Sequence, residues 1–211
     1  MSDFFEQVLK TAASFDLLEL SGLIFGILTV WFLIKQSIWT WPFGILYILV
    51  SFVVFWNARL FGDLILHIFF LILNIYGWYY WIYGKKEEDS FLKITTLKIG
   101  QSVLIFTITL LSIYVFGFFL IQLPKYIENF PSPSLPYWDA STSMLSVTAM
   151  WLTAKKKIEN WHYWFVVDVL ATGIYIYKTL YFYSLLYFIY IIMAVLGYLA
   201  WKKTLSIQSE N

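Results

Sequence analysis

Residues 31–41 read WFLIKQSIWTW, and residues 151–161 read WLTAKKKIENW. Each stretch starts and ends on tryptophan, and each carries a lysine four residues in. Each also breaks a long apolar run. Sliding the chain by 120 positions extends the match. Trp31 meets Trp151, Trp41 meets Trp161, Trp81 meets Trp201, Lys35 meets Lys155 and Gly77 meets Gly197. No gap is needed between residues 21–81 and 141–201. Apolar helices align easily by chance, but three pairs of a rare residue in one register do not. The chain reads as two copies of one unit.

The medium around those copies follows from composition. Of 211 residues, 61% are hydrophobic and 13% charged, where a soluble domain carries roughly 25% charge. Mean hydropathy is +0.73. Such a chain cannot cover itself with polar groups in water, so its solvent is lipid. A net charge of +1 gives no support for a nucleic-acid partner, and the lack of cysteine excludes disulfides and thiolate metal sites. No cofactor or metal site is expected. Aromatics reach 22%, more than interfacial belts use, which points to an aromatic-lined cavity.

A membrane-spanning helix needs about 20 mostly apolar residues. Residues 36–58, 64–84, 99–124 and 179–201 qualify. Residues 20–34 and 140–154 qualify when extended outward, and 160–177 is broken only by Asp168. The expectation is an all-α integral membrane protein of seven spans. A three-helix repeat (17–84) and a linker span (98–123) precede a second repeat (137–203). Three spans plus one make four, so both copies enter the membrane in the same direction. Parallel repeats are a known transporter plan, with the substrate near midplane between the halves.

Basic residues set the orientation. With the N-terminus outside, the inner side holds Lys35, Lys85, Lys86, Lys93, Lys98, Lys155, Lys156, Lys157, Lys202 and Lys203. The outer side holds only Lys10, Arg59, Lys125 and Lys178. The first sixteen residues have no basic signal-peptide pattern, so the first span is expected to act as the insertion signal.

Asp168 is the acidic residue near the middle of a span, and charge at that depth ordinarily faces a cavity or a partner. Trp161, Trp164, Asp168, Thr172 and Tyr175 recur at steps of three and four, on one helical face. Two indoles, a carboxylate, a hydroxyl and a phenol suit a flat, hydroxylated cation. The same stripe also fits an interhelical polar clamp. Asn74, Trp78 and Thr107 are further candidates for the pocket, with Thr109 beside Thr107 on the linker span. Asp63, Asp139 and Asn160 are candidates for gates. His67 reads as a packed histidine. HExxH, GxSxG and a P-loop are absent from the sequence, which speaks against an enzyme or an ATP-driven pump. A retinal protein would need a lysine in the last span, and none lies there. A purely structural or ligand-sensing membrane protein remains the alternative of another class.

Residues 74–81, NIYGWYYW, resemble the third-helix signature of the PnuC family of bacterial vitamin transporters. PYWD at 136–139, the run from Met144 to Met150, and Glu159-Asn160-Trp161 with Trp164 resemble its second half. The likeness spans about Leu20 to Lys203. It implies a three-plus-one-plus-three core like that of SWEET sugar transporters, and assembly as a homotrimer in the bacterial inner membrane. It further implies facilitated diffusion, with a cytoplasmic vitamin kinase trapping the substrate. The implied substrate is nicotinamide riboside, a pyridinium cation, with thiamine as the alternative. Trp161 and Trp164 match the family's aromatic pair. Asp168 stands where the nicotinamide riboside carriers have asparagine.

Overall fold

The computed structural model describes residues 2–57, 61–85, 92–126 and 134–210. It is all-helical: α1 (Ser2–Ser14), α2 (Leu17–Ile34), α3 (Thr40–Asn57), α4 (Phe61–Tyr83), α5 (Ile99–Tyr126), α6 (Pro136–Ala154), α7 (Asn160–Tyr177) and α8 (Tyr181–Glu210). Among the described residues, four helices are long and apolar enough to cross a membrane: α2, α3, α5 and the Tyr181–Gln208 part of α8. The composition of α5 shows why lipid must surround it. Leu104, Ile108, Leu111, Val115 and Phe118 are all at least half exposed, and only Thr109 and Gly117 are buried. An apolar patch of that extent has no stable place in water.

Helix α1 was not expected from the sequence. It is a surface helix with an exposed Glu6–Lys10 ion pair, and it packs on α8 through Phe4 and Tyr181. Local signals set the helix ends. Asp16 caps α2: its carboxylate accepts from the Glu19 N–H, and Glu19 accepts in return from the Asp16 N–H. Pro136 opens α6, where its missing N–H costs nothing.

Two chains of helix contacts run α2 to α3 to α4, and α6 to α7 to α8. Cross-contacts join α4 to α6 and α2 to α8, while α5 lies on α6. Atomic details recur at the spacing of 120. Helix α2 ends at Lys35, with Gln36 at φ 55°. Helix α6 ends at Lys155, with Lys156 at φ 53°. The Gln36 N–H donates to Leu33 O, and the Lys156 N–H to Thr153 O, both at 2.9 Å. Trp41 meets Trp81 edge-on at 5.3 Å, and Trp161 meets Trp201 edge-on at 5.6 Å. The two pairs touch where Trp81 and Trp201 lie 6.3 Å apart.

These four indoles form the core at one end of the bundle, with Leu33, Ile94, Ala154 and Ile158. Trp81 Nε1 donates to Thr153 O at 3.2 Å, and Trp201 Nε1 donates to Leu33 O at 3.0 Å. Both acceptors belong to the last turn of a helix, and each also accepts from the backbone N–H three residues on, so the indole N–H is a second donor to the same carbonyl. The glycines permit this packing. A Cβ on Gly77 would run into the Trp41 ring, and one on Gly197 into Trp161.

A strap closes this end. Residues 92–98 lie along the α6–α7 turn. The Thr95 N–H donates to Lys156 O and the Ile158 N–H to Thr95 O, both at 3.1 Å, while the Leu97 N–H donates to the Glu159 carboxylate at 2.8 Å. Lys156 Nζ donates to Leu92 O at 2.7 Å and lies 4.6 Å from the Trp81 ring centre. Burial pushes this ammonium down to about 8.

Gly77→Ala and Gly197→Ala should each lower thermal stability of the detergent-purified protein, by about 1–3 kcal/mol for a forced overlap in a packed core. Gly100→Ala, with nothing near its Cβ, should leave the melting temperature unchanged or slightly raised. A second outcome follows from Lys156. Between about pH 8 and 10.5 the unfolded chain holds a proton that the folded chain has released. Stability should therefore rise with pH across that window. In Lys156→Gln, which places there the residue that Gln36 already accommodates at the same φ, the rise should disappear from the melting curves.

Candidate functional site

Asp168 lies midway along α7, 6% exposed. Among the described residues no hydrogen bond or salt bridge reaches its carboxylate; the one salt bridge is Lys10–Glu6. Its electrostatic neighbours are Tyr187 and Tyr190 of α8. Tyr187 meets Tyr190 edge-on at 5.8 Å and stacks on Tyr175 at 5.3 Å, and Tyr175 stacks in turn on Tyr183 at 5.5 Å. Tyr47 of α3 reaches the same cluster from the other half. Gly26 of α2 completes the approach: a Cβ there would lie 2.9 Å from the Tyr190 hydroxyl and 3.5 Å from the Tyr47 ring. A buried carboxylate thus sits among tyrosines drawn from both helix groups. Burying such a charge costs free energy unless it is paired, and a ligand cation is a suitable complement.

The expected stripe on α7 is brought inward, but its members play different parts. Trp164 is half-buried, and its Nε1 donates to Thr153 Oγ1 at 3.2 Å. That bond fixes the indole. Thr172 donates to Asp168 O at 2.7 Å, satisfying its own helix. Tyr175 joins the tyrosine stack. Trp161 is the most deeply packed member: it is 2% exposed, abuts Gly197 and meets Trp201 edge-on. In this arrangement its ring is covered by protein. Asp168 lies two helical turns further on, about 10 Å along the axis.

Asn74 is 4% exposed; its Nδ2 donates to Phe70 O at 3.1 Å and its Oδ1 lies against Gly44. It joins α3 to α4 and stands apart from the tyrosine cluster. Trp78 is 36% exposed on α4. Thr107 is exposed too, which corrects its expected place in the pocket. Thr109 is the residue of α5 that faces the bundle, sharing a 2.9 Å hydrogen bond with Thr148 Oγ1 of α6. Of the expected gates, the Asp63 side chain lies outside the described residues. Asp139 is half-buried in the first turn of α6. Asn160 is fully buried and donates to Lys157 O at 2.6 Å, so it braces the α6–α7 turn. His67 is packed among Tyr47, Phe55 and Phe70. Its counterpart 120 positions on is Tyr187.

Tyr47, Tyr187 and Tyr190 escaped the sequence reading. The signal lay in the repeat. Phe55, His67 and Phe70 of one copy align with Tyr175, Tyr187 and Tyr190 of the other, so an apolar ring cluster in one half becomes a hydroxyl-rich one around Asp168.

Long apolar helices that keep most of their side chains exposed define a multi-pass membrane protein. The chain belongs to the nicotinamide mononucleotide transporter family, which it matches over residues 16–203. It is 28% identical over 209 residues to the nicotinamide riboside transporter PnuC of Escherichia coli K12, covering 90% of this chain and 87% of that one. It is 25% identical over 158 residues to the riboflavin/roseoflavin transporter RibM of Streptomyces davaonensis, covering 72% and 69%. The fold is similar to the crystal structure of the vitamin B3 transporter PnuC, with a TM-score of 0.72 at 22% identity over 96% of this chain and 88% of that one. Its relatives are transporters, and the chain is a transporter of the inner membrane rather than an enzyme.

If Trp164 is positioned through Thr153, then Thr153→Val should leave the indole N–H without its acceptor. About 1–3 kcal/mol of stability should be lost for a buried unpaired donor, read as a lower melting temperature. Thr153→Ser, which keeps the hydroxyl, should retain most of it.

Proposed function

We propose that this protein carries nicotinamide riboside across the inner membrane by facilitated diffusion. The observation that carries this reading is the buried Asp168 carboxylate, unmatched by any protein cation among the described residues and surrounded by tyrosines. Nicotinamide riboside joins a flat pyridinium to a ribose. Its positive ring meets aromatic faces and the carboxylate, and its hydroxyls suit the phenols. The substrates named for the nicotinamide riboside relatives agree with that chemistry. Riboflavin is uncharged and gives the carboxylate no counter-ion. Thiamine is a cation and is the second reading, since Asp168 serves it equally on charge.

In this proposal seven helices span the membrane: α2–α4, then α5 as linker, then α6–α8, while α1 lies outside the bundle. The recurrence of caps, tryptophan pairs and close glycines at 120 positions supports two parallel repeats. Rocking of one three-helix group against the other would expose the Asp168 site to each side in turn. Trp164, Tyr175, Tyr187 and Tyr190 would line the site. The lysine bias supports an N-terminus outside and a C-terminus in the cytoplasm. A cytoplasmic vitamin kinase would trap the substrate, and three copies would form the working assembly.

Calorimetry of the purified protein tests the substrate. Nicotinamide riboside should bind and riboflavin should not. Asp168→Ala should weaken binding by about 10- to 100-fold, the loss of one charged hydrogen-bonding partner, while the variant still inserts and purifies normally. If the charge matters, Asp168→Asn should lose nearly as much. Wild-type affinity in both variants would remove Asp168 from the site. Binding of thiamine alone would move the assignment to the second reading.

A further inference from the structure

The Lys155 ammonium is held in an unusual way. It lies 4.0 Å from the ring centre of Tyr80, 4.8 Å from Tyr76 and 5.1 Å from Trp151, and it donates to the Tyr76 hydroxyl. Tyr76 stacks on Trp151 at 5.5 Å with the planes 10° apart, and on Tyr80 at 5.9 Å. No carboxylate pairs with this lysine among the described residues. The ring faces of Tyr80 and Trp151 and the phenol oxygen of Tyr76 give an organic cation partners where no anion is at hand.

The repeat shows what is special here. Lys35 is the counterpart of Lys155, and it lies 4.6 Å over Trp31 just as Lys155 lies over Trp151. A lysine folded back on the tryptophan one turn before it is therefore common to both copies. The positions matching Tyr76 and Tyr80 are Leu196 and Ala200. Only one copy has two further aromatic rings, and they come from α4 while Trp151 comes from α6. The cage therefore bridges the seam between the two helix groups, and Trp151 leaves it open on one side at 42% exposure.

We propose that Tyr76, Tyr80 and Trp151 form a second binding site, for a flat organic cation of the pyridinium class, which the tethered Lys155 ammonium fills when no ligand is present. A cation moving along the α4–α6 seam would displace Lys155 and pass through the cage. Lys155 would then be a built-in competitor that returns once the cation has gone. The transporter reading supplies only the charge class of the ligand.

The test uses N-methylpyridinium as the probe and the quenching of tryptophan fluorescence as the readout, on full-length protein in detergent. Lys155→Ala empties the cage and should bind the probe about tenfold more tightly than the wild type, the scale of one cation–π contact partly shielded from water. Lys155→Ala/Tyr80→Leu should return to the wild-type level. Asp168 is intact in all three proteins, so the difference reports on the cage alone. Should Lys155→Ala fail to purify as a single species, Lys155→Gln replaces it, with a side chain that still covers Trp151 but carries no charge. No gain on removing the lysine overturns the proposal and leaves Lys155 as a staple between α4 and α6. A gain that survives Tyr80→Leu overturns it too, because the probe then sits elsewhere. Failure of nicotinamide riboside to bind the wild type would count against the proposed substrate and not against the cage.

Discussion

Two indole N–H groups hold one end of this molecule together. Trp81 donates to Thr153 O and Trp201 to Leu33 O, each reaching from one helix group to the end of a helix in the other. It is the indole N–H that would go unpaired without these bonds, and a buried donor left unpaired costs about 1–3 kcal/mol; the carbonyls it reaches already accept from Gln36 and Lys156 N–H. The donors need close packing, and Gly77 and Gly197 supply it by letting Trp41 and Trp161 lie directly on the helix backbones. Each half thus completes the other. The strap at 92–98 covers the same end, with Ile94 buried among the indoles.

This arrangement explains why the repeat is strict in one place and free elsewhere. The tryptophans, the lysine cap and the glycines occupy positions where geometry leaves few options. Deeper along the helices, positions 120 apart diverge. Ile48 faces Asp168, Phe70 faces Tyr190 and His67 faces Tyr187 in the alignment. A duplicated scaffold can keep one end constant and differentiate its interior, so that one half contributes the carboxylate and the other a mostly apolar wall. The lysine cage follows the same logic, with a shared Lys–Trp contact extended by two tyrosines in one copy only.

Much of this was legible in the sequence because rare residues in register carry information that apolar periodicity does not. The helical membrane character and the burial of Asp168 on the inward face of α7 followed from spacing and composition. The close packing of Trp161 did not. A tryptophan on the same face as a carboxylate looks like a ligand platform, and only the packing of α8 at Gly197 shows that its surroundings are filled. Thr107 and Thr109 could not be told apart, because α5 is apolar all round and its sequence does not mark which side meets α6. The tyrosines of α8 were hidden by abundance. In a chain with 16 tyrosines, only comparison of the two copies marks Tyr187 and Tyr190, as the positions where the first copy has His67 and Phe70. Helix α1, 13 residues long with a charged pair on its surface, is too short and too polar for hydropathy to mark.

If rocking exposes the Asp168 site to each side in turn, as proposed, the two helix groups must part at the tryptophan end. Gln36 and Thr204 face each other there, with Gln36 Nε2 donating to Thr204 Oγ1 at 2.9 Å. The chain has no cysteine, so Gln36→Cys/Thr204→Cys can be joined by a short thiol-specific, reducible cross-linker without background. The measurement is uptake of labelled nicotinamide riboside into liposomes holding that variant, before cross-linking, after it and after reduction. The account requires uptake to stop on cross-linking and to return on reduction. Uptake at an unchanged rate through the cross-linked protein would contradict it, because this end would then stay closed while substrate crosses.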